Sequence, residues 1–313
     1  QTVDFLLHLT NKEETDDELL GMLDKMQEYS LKLEPKNPGI VIDVCGTGGD
    51  KLQTFNISTT SAFVVAASGG IVAKHGNRSS SGVSGSADIF EYFGYDLNQE
   101  PNDISKILEE FNICFMFAQK FHPAMKNVAS ARKQIGKRTA FNLLGPLSNP
   151  ARVKNQLIGV FSNDFLERLP LILKRKGSEN IMTVRSDDGM DEFSISSKNK
   201  ICLLRNGKIL TNVIDPEILG LKKSSLKDIQ IKSKEDAIKS FVSVLDGTAN
   251  QAMIQTTILN SAAGLVVANI AKDFDEGIDI AKNSLESGKT IKLLEKFVTK
   301  TGDIKKLREV QES

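Results

Sequence analysis

Apolar residues recur at helical spacing through residues 2–33, which predicts helices at the start of the chain. Thr15, with Glu18 three residues later, has the form of a capping box and predicts a helix start. The segment 35-PKNPG-39 then ends the helical pattern. Because these helices precede any strand pattern, we expect them to form a smaller helical domain.

An alternation of strands and helices begins at 40-IVIDVC-45, a β-branched run that predicts a buried parallel strand. The hydroxyl residues from Ser58 to Ser61 predict the cap of a helix over 62–67, and 71-IVAKHG-76 predicts the next strand. Strand, glycine loop, helix and strand together form a βαβ unit.

The alternation continues to the end of the chain. Further strands are predicted at 113–118, 156–161, 181–186 and 201–209. Further helices are predicted at 86–94, 103–111, 122–136, 235–245, 250–270, 275–287 and 290–297. This order indicates an α/β fold with a mainly parallel central sheet.

Composition narrows the class of protein. The 313 residues carry 40 basic and 40 acidic side chains, so no net charge favours nucleic acid or an anionic membrane. The longest apolar runs are far shorter than the roughly 20 residues that span a bilayer. Three widely spaced cysteines without metal-ligand spacing indicate reduced thiols, and we expect a cytoplasmic protein. Since the chain starts with Gln1 inside a predicted helix, we expect that an N-terminal segment precedes it.

The segment 43-DVCGTGGDKLQTFNISTTSAF-63 has the character of a phosphate site. Its glycines follow a predicted strand, where the backbone N–H groups can approach an anion closely. Asn56, Ser58, Thr59 and Thr60 precede a helix whose N-terminus favours anions. The same residues could form only a tight turn and a helix cap, and for this motif alone both interpretations stay open.

A second polar loop, 74-KHGNRSSSGVSGSAD-88, combines Lys74 and Arg78 with serines and glycines at the next strand end. Such a set can bind a polyanion, because lysine supplies a point charge, arginine a forked hydrogen-bond donor and serine a hydroxyl donor. The alternative is a flexible Ser/Gly loop. The two cations and the helix predicted at 86–94 favour the binding interpretation.

In this order, the motifs GTGGD, NIST and KHGNRS resemble those of the anthranilate phosphoribosyltransferases of tryptophan biosynthesis. The resemblance extends through residues 122–151 and 188-DGMDEFSI-195. It implies a small helical domain (1–37, completed by about 126–148) and a larger α/β domain (38–313), a fold shared with pyrimidine nucleoside phosphorylases. It also implies transfer of phosphoribosyl from 5-phosphoribosyl-1-diphosphate (PRPP) to anthranilate, and a homodimer.

The resemblance implies the site residues one by one. Mg²⁺ is expected on Ser58, Asp191 and Glu192, and anthranilate on Gly46, Asn77 and Arg132. Residues expected to bind PRPP are Gly46, Gly49, Asp50, Thr54, Asn56, Ile57, Ser58, Thr59, Lys74, His75, Gly76, Asn77, Arg78, Ser79, Ser80, Ser81, Gly82 and Ser86. His75 and His122 are expected to line the anthranilate region. Other cations of the helix at 122–136 are expected to face solvent.

The chain departs from the family pattern at two places. Where Ser-Lys-Ser-Gly is common, it has 82-GVSG-85, which lacks one hydroxyl and one cation. The acidic motif reads 184-VRSDDGMDE-192 without the usual Val-His-Gly lead-in. The first change concerns the expected phosphate contacts, and the second concerns the lead-in of the acidic loop.

Two other functions were weighed against this interpretation. A nucleoside phosphorylase of the same fold would carry Lys-His-Ser-Thr-Gly-Gly, which this chain lacks. A non-catalytic relative that binds nucleic acid is disfavoured by the net charge of zero and by the intact Asp191–Glu192 pair. We therefore expect no nucleic-acid partner and no membrane partner.

Overall fold

A seven-stranded sheet lies at the centre of the structure, a computed structural model that describes residues 1–50, 52–79 and 82–312. Its strands lie in the order β3-β2-β1-β4-β5-β6-β7. They are β1 Val41–Gly46, β2 Ile71–Gly76, β3 Ile113–Phe117, β4 Asn155–Gly159, β5 Asn180–Ser186, β6 Asn199–Arg205 and β7 Lys208–Ile214.

The first five strands are mutually parallel, which confirms the predicted mainly parallel α/β sheet. Ile42 and Val44 of β1 and Val72 of β2 are almost fully buried. Helices cover both faces of a parallel sheet, so its strands carry continuous apolar runs. The β-branched runs of the sequence therefore located these strands correctly.

The far edge of the sheet differs from the prediction. The segment 201–209, predicted as one strand, belongs to the hairpin formed by the antiparallel strands β6 and β7. Asn206 and Gly207 form its turn with φ of 52° and 70°. A two-residue hairpin turn of type I′ requires positive φ at both residues, and Asn-Gly is its strongest sequence signal. The single-strand prediction was wrong because this turn signal was overlooked.

Fourteen α-helices surround the sheet within the described residues. The first eight are α1 Thr2–Lys12, α2 Asp16–Glu28, α3 Ile57–Ala67, α4 Ser86–Tyr92, α5 Pro101–Phe111, α6 Ala118–Phe121, α7 Lys126–Ile135 and α8 Ala140–Leu147. The others are α9 Asp164–Arg175, α10 Lys234–Leu245, α11 Gln251–Val267, α12 Phe274–Glu286, α13 Lys289–Thr301 and α14 Ile304–Gln311. None of these helices has both the length and the apolar character needed to cross a membrane.

Helix α3 starts earlier than the sequence prediction of 62. It begins at Ile57 with Asn56 as its N-cap, so Ser58 to Ser61 lie in its first turns and do not cap it. Thr59, Thr60 and Ser61 are almost fully buried. The helix lies in the core, which is why apolar periodicity could not locate its start.

The leading helices α1 and α2 pack against α7 and α8. Leu9, Leu19 and Leu23 share a buried cluster with Leu143 and Leu147. The cluster continues into the sheet and α9, so these helices rest on the α/β part of the molecule. The predicted domain limits of 1–37 with 126–148 stay a prediction.

The predicted capping box of α2 is confirmed. The Glu18 N–H donates to Thr15 Oγ1 at 3.2 Å, and the Thr15 N–H donates to Glu18 Oε2 at 3.0 Å. Two of the N–H groups that a helix start leaves unpaired are satisfied in this way.

Candidate active site

A cleft of about 570 Å³ opens at the carboxyl ends of the parallel strands. Strand β1 lies between β2 and β4, which is the place where the strand order reverses direction. Ligands of open α/β sheets bind at such a switch point. Gly46 at the end of β1, Gly76 at the end of β2 and Ala118 after β3 line the cleft.

The cleft gathers most of the site residues expected from sequence. Those that line it are Gly46, Gly49, Asp50, Thr54, Asn56, Ile57, Ser58, Lys74, His75, Gly76, Asn77, Arg78, Ser79, Gly82, Ser86, Arg132, Asp191 and Glu192. Thr59 lies behind the wall, where its hydroxyl donates to Ser86 Oγ at 2.9 Å. Ser80 and Ser81 lie outside the described residues.

The first glycine loop turns sharply after β1. Gly48 and Gly49 have φ of 70° and 87°, values that glycine adopts without strain. The Gly48 N–H donates to Asp191 Oδ2 at 2.6 Å. The Thr47 N–H donates to the Gly159 carbonyl at 2.9 Å. The loop is therefore fixed to the end of β4 and to the acidic pair.

Two glycines allow the acidic pair to approach the sheet. A Cβ at Gly159 would lie 1.4 Å from the Asp191 carbonyl oxygen, and one at Gly46 would lie 2.9 Å from Asp191 Oδ2. The Gly159 contact is with backbone and leaves no room for a side chain, so the backbone of residue 191 rests directly on the end of β4. Gly159 was not singled out in the sequence, since a long-range approach leaves no local pattern.

Both acidic side chains are strongly perturbed by burial. Burial raises the pKa of Asp191 to about 7, and the nearby charge of Asp50 adds to this. Burial and then repulsion by Asp191 raise the pKa of Glu192 well above its usual value. Glu192 Oε2 is buried without a hydrogen-bond partner among the described residues. Such a pair disfavours its own negative charge unless a cation is present.

These residues fit a Mg²⁺ site in which the substrate phosphates supply the remaining ligands. Within the described residues no group of three or more His, Cys, Asp or Glu side chains could hold a metal. Mg²⁺ needs no such cage, because it commonly binds through one or two carboxylates plus substrate phosphates. The unpaired Glu192 Oε2 and the cleft-lining Asp191 and Ser58 supply the hard oxygen atoms that this mode requires.

A buried cation lies beside the pair. Lys74 is 1% exposed, and its Nζ donates to the Val44 carbonyl at 2.6 Å and to Ser58 Oγ at 3.2 Å. Asp43 is fully buried and accepts from the Asn149 amide at 2.8 Å. Burial lowers the pKa of Lys74, while attraction to Asp43 opposes this.

In the second loop, Arg78 lines the cleft but its guanidinium is engaged elsewhere. Arg78 Nη2 donates to Glu91 Oε1 at 2.7 Å. Val83, which replaces the cation common in the family, is partly buried against the apolar core. The Ser79 hydroxyl accepts from the Gly82 N–H at 2.7 Å, so the two described ends of this loop are joined.

The opposite wall of the cleft is formed by α7 and α8, together with His75 of β2 and His122 before α7. Arg132 lies with its guanidinium carbon 5.6 Å from the centre of the Phe141 ring. Burial lowers the pKa of His75 to about 3 and that of His122 to about 4, so both imidazoles are neutral at pH 7. The two rings stack edge to face at 5.1 Å. This side of the cleft combines cationic side chains with neutral rings.

Lys126 and Ala129 also line the cleft, although the cations of this helix other than Arg132 were expected to face solvent. Lys126, Ala129 and Arg132 follow one another at three-residue intervals and therefore share a helix face. That spacing was the available signal. Gln119, Phe141 and Asn142 line the cleft too and carried no sequence signal.

The comparisons with known proteins agree with this geometry. Residues 38–291 match the family model described as Glycosyl transferase family, a/b domain. Over 310 residues the chain is 73% identical to the anthranilate phosphoribosyltransferase of Nitrosopumilus maritimus (strain SCM1), covering 99% of this chain and 89% of that one. It is 53% identical to that of Cenarchaeum symbiosum (strain A) over 312 residues, covering 100% and 91%.

Solved structures give the same result. The crystal structure of anthranilate phosphoribosyltransferase from Thermus thermophilus superposes with a TM-score of 0.88 at 34% identity, covering 98% of this chain and 89% of that one. The Saccharomyces cerevisiae enzyme in complex with PRPP and Mg gives 0.85 at 26% identity, covering 98% and 85%. The resemblance found in the sequence is confirmed, and the chain belongs to the anthranilate phosphoribosyltransferase family.

Proposed function

We propose that the chain transfers the 5-phosphoribosyl group from PRPP to the amine of anthranilate. The products are N-(5-phosphoribosyl)anthranilate and pyrophosphate, and the reaction is the second step from chorismate in tryptophan biosynthesis. One observation carries the proposal: the glycine loop, Lys74, the Asp191–Glu192 pair and Arg132 face a single cleft at the switch point of the sheet. The groups that we assign as anion donors, metal ligands and carboxylate-binding cation therefore line one cleft.

The diphosphate of PRPP is assigned to the side of the cleft formed by the glycine loop and the start of α3. Backbone N–H groups at a helix N-terminus favour phosphate, and glycine permits close approach. Lys74 adds a buried positive charge next to Ser58. As the bond between C1 and the pyrophosphate oxygen breaks, negative charge grows on the leaving group. Donors fixed before the reaction stabilise that charge most effectively.

Mg²⁺ is proposed to bind through Asp191, Glu192 and Ser58 together with substrate oxygens. Its chemistry in this position is to neutralise phosphate charge on the leaving group. The support is the raised pKa of both carboxyl groups and the unpaired Glu192 Oε2. The Gly48 N–H, which donates to Asp191 Oδ2, ties this pair to the diphosphate side of the cleft.

Anthranilate is assigned to the wall formed by α7 and α8. The forked guanidinium of Arg132 matches a carboxylate, and the neutral His75 and His122 rings suit an aromatic acid. Asn77 Oδ1 accepts from the Arg78 N–H at 2.8 Å, which leaves Nδ2 as its donor to a carboxylate. The aryl amine is unprotonated at neutral pH, so placement beside C1 is the contribution required.

Steady-state kinetics with matched controls tests this assignment. We expect Arg132→Ala to raise the KM for anthranilate and Asp191→Asn to lower kcat about 100-fold or more, since each removes a charged group at the reacting centre. Lys133→Ala and Asp187→Asn remove charges from exposed neighbours and serve as controls. Equal activity in Asp191→Asn and Asp187→Asn would contradict the metal assignment.

We also propose that the chain forms a homodimer through its leading helices. The support is an exposed apolar side chain on these helices: Phe5 of α1 is 61% exposed. Sedimentation velocity of the wild type should show a dimer, and Phe5→Asp should shift it towards the monomer. An unchanged dimer in Phe5→Asp would place the interface elsewhere.

A further inference from the structure

Arg138 connects the wall that carries Arg132 to the first glycine loop. It lies between the end of α7 at Ile135 and the start of α8 at Ala140. Its Nη2 donates to the Gly49 carbonyl oxygen. On its other side, its guanidinium carbon lies 3.5 Å from the centre of the Phe161 ring. The guanidinium is thus held between a ring and a loop carbonyl.

Gly49 makes room for this contact. A Cβ at position 49 would lie 2.4 Å from Arg138 Nη2 and 3.2 Å from its Cζ. The guanidinium therefore occupies the space that a side chain would need. The φ of 87° at Gly49 turns the loop in a way that other residues rarely adopt. Glycine is required at this position for a tertiary contact as well as for the turn.

The Phe161 ring serves as the platform for the guanidinium, and the backbone that carries this ring is held on both sides. The Phe161 N–H donates to Thr47 Oγ1 at 3.2 Å. Arg185 Nε donates to the Phe161 carbonyl at 3.1 Å. Arg185 stands where the family usually has the lead-in to its acidic motif, so this departure supplies a contact to the same platform. The glycine loop and the acidic strand both meet at Phe161.

The charges around the Arg138 guanidinium are consistent with its position beside the glycine loop. Burial lowers the pKa of the Arg138 guanidinium, and attraction to Asp191 and Asp50 opposes this shift. Arg138 therefore lies in the field of the acidic group of the cleft. Neither substrate assignment above uses it.

We propose that Arg138 is a positioning residue for the glycine loop. The Arg138 latch, meaning the guanidinium held between the Gly49 carbonyl and the Phe161 ring, fixes the loop backbone so that its N–H groups face the diphosphate of PRPP. The latch also ties that loop to the α7–α8 segment, and through it to Arg132. This inference rests on the proposed function, because it takes PRPP as the ligand of the loop.

A simpler alternative is that Arg138 only adds positive charge near an anionic substrate. Lys137 is an adjacent exposed cation on the same segment and offers a matched control. Arg138→Met and Lys137→Met remove the same charge, but only the first removes the latch. If only long-range attraction matters, both variants should weaken PRPP binding equally. If the latch matters, Arg138→Met should weaken it more than Lys137→Met.

The first readout is independent of catalysis. Hydrogen exchange of a peptide covering residues 46–50 is measured for wild type, Arg138→Met and Lys137→Met. We expect exchange about tenfold faster in Arg138→Met only, the effect of losing one hydrogen bond to a charged group. Arg138→Lys, which keeps a donor but not a planar fork, should fall between wild type and Arg138→Met. Unchanged exchange in Arg138→Met would overturn the latch.

The second readout separates the latch from the proposed function. If wild type turns over PRPP and anthranilate, Arg138→Met should raise the KM for PRPP about tenfold with a smaller change in kcat. Equal KM values for Arg138→Met and Lys137→Met would overturn the latch in an active enzyme. A wild type without turnover would contradict the proposed function, and the exchange experiment would still decide on the latch.

A double-mutant cycle tests the platform. Phe161→Leu keeps an apolar side chain but removes the ring face on which the guanidinium lies. If ring and guanidinium act together, Arg138→Met in the Phe161→Leu background should change loop exchange much less than in wild type. Fully additive effects would contradict the role of Phe161.

Discussion

Substitution of Gly159 by alanine should disable the cleft without altering any polar group in it. A Cβ at this position would lie 1.4 Å from the Asp191 carbonyl oxygen, whereas real Cβ contacts essentially never fall below 3.0 Å. The segment bearing Asp191 must therefore move by at least 1.6 Å, the difference between the two distances. The atoms of Asp191 that the new Cβ would meet are backbone, so no side-chain rotation can relieve the overlap.

That shift is large compared with the geometry of the site. The Gly48 N–H to Asp191 Oδ2 distance is 2.6 Å, and a shift of this size takes the pair out of hydrogen-bond range. A misplacement of about 1 Å can cost about 100-fold in rate. We therefore expect Gly159→Ala to lower kcat/KM at least about 100-fold, with a loss of unfolding free energy of about 1–3 kcal/mol from overpacking.

Gly21→Ala provides the matched control. Gly21 is an exposed residue within α2, and a Cβ there would have nothing within 4 Å. Alanine in a helix interior should stabilise by about 0.5–1 kcal/mol and leave activity unchanged. Activity is followed by anthranilate fluorescence and stability by urea unfolding. Wild-type kcat/KM in a folded Gly159→Ala variant would show that the close approach of Gly159 and Asp191 is not needed for activity.

Three further changes probe the buried charges and the aromatic wall. Asp43→Asn leaves Lys74 without its buried counter-charge and should lower the free energy of unfolding in urea by about 3 kcal/mol. Adding Lys74→Met to this variant should restore part of that loss. If the losses of the two single variants simply add in the double variant, the two charges are not coupled. Burial lowers the pKa of His122 from 6.5 to about 4 in the folded chain, so the unfolded state binds the proton first as the pH falls. Between pH 7.5 and pH 5 the free energy of unfolding of wild type should therefore fall by about 2 kcal/mol more than that of His122→Gln. Parallel curves of unfolding free energy against pH would contradict this. Arg132→Lys should raise the KM for anthranilate about tenfold and leave the KM for PRPP unchanged, because lysine lacks the forked guanidinium that matches a carboxylate. Equal increases in both KM values would show that Arg132 does not bind anthranilate specifically.

Much of the cleft was accessible from sequence because its parts are local. Glycines after a β-branched run, as at Gly46, and cations after the next strand, as at Lys74, fall at strand ends that a parallel sheet brings together. The Asp191–Glu192 pair needed the family resemblance, because an acidic turn alone is typical of solvated surface. Its burial became visible only in the structure.

The parts that sequence missed depend on contacts between distant segments. Gly159 and Arg138 matter because of what approaches them in the folded chain, and neither leaves a periodic pattern. Thr59 was assigned to PRPP with its neighbours; it is buried, and its hydroxyl reaches the cleft residue Ser86, so its assignment stays a prediction. Helix α9 was not predicted; Pro170 interrupts its otherwise apolar periodicity.

The most direct test of the account is the reaction of the wild-type chain itself. PRPP, anthranilate and Mg²⁺ are mixed with the protein, and loss of anthranilate fluorescence is recorded together with pyrophosphate release. We expect anthranilate loss and pyrophosphate release in a one-to-one ratio, and we expect both to stop when Mg²⁺ is chelated. Pyrophosphate release without loss of anthranilate, or no turnover of either substrate, would contradict it.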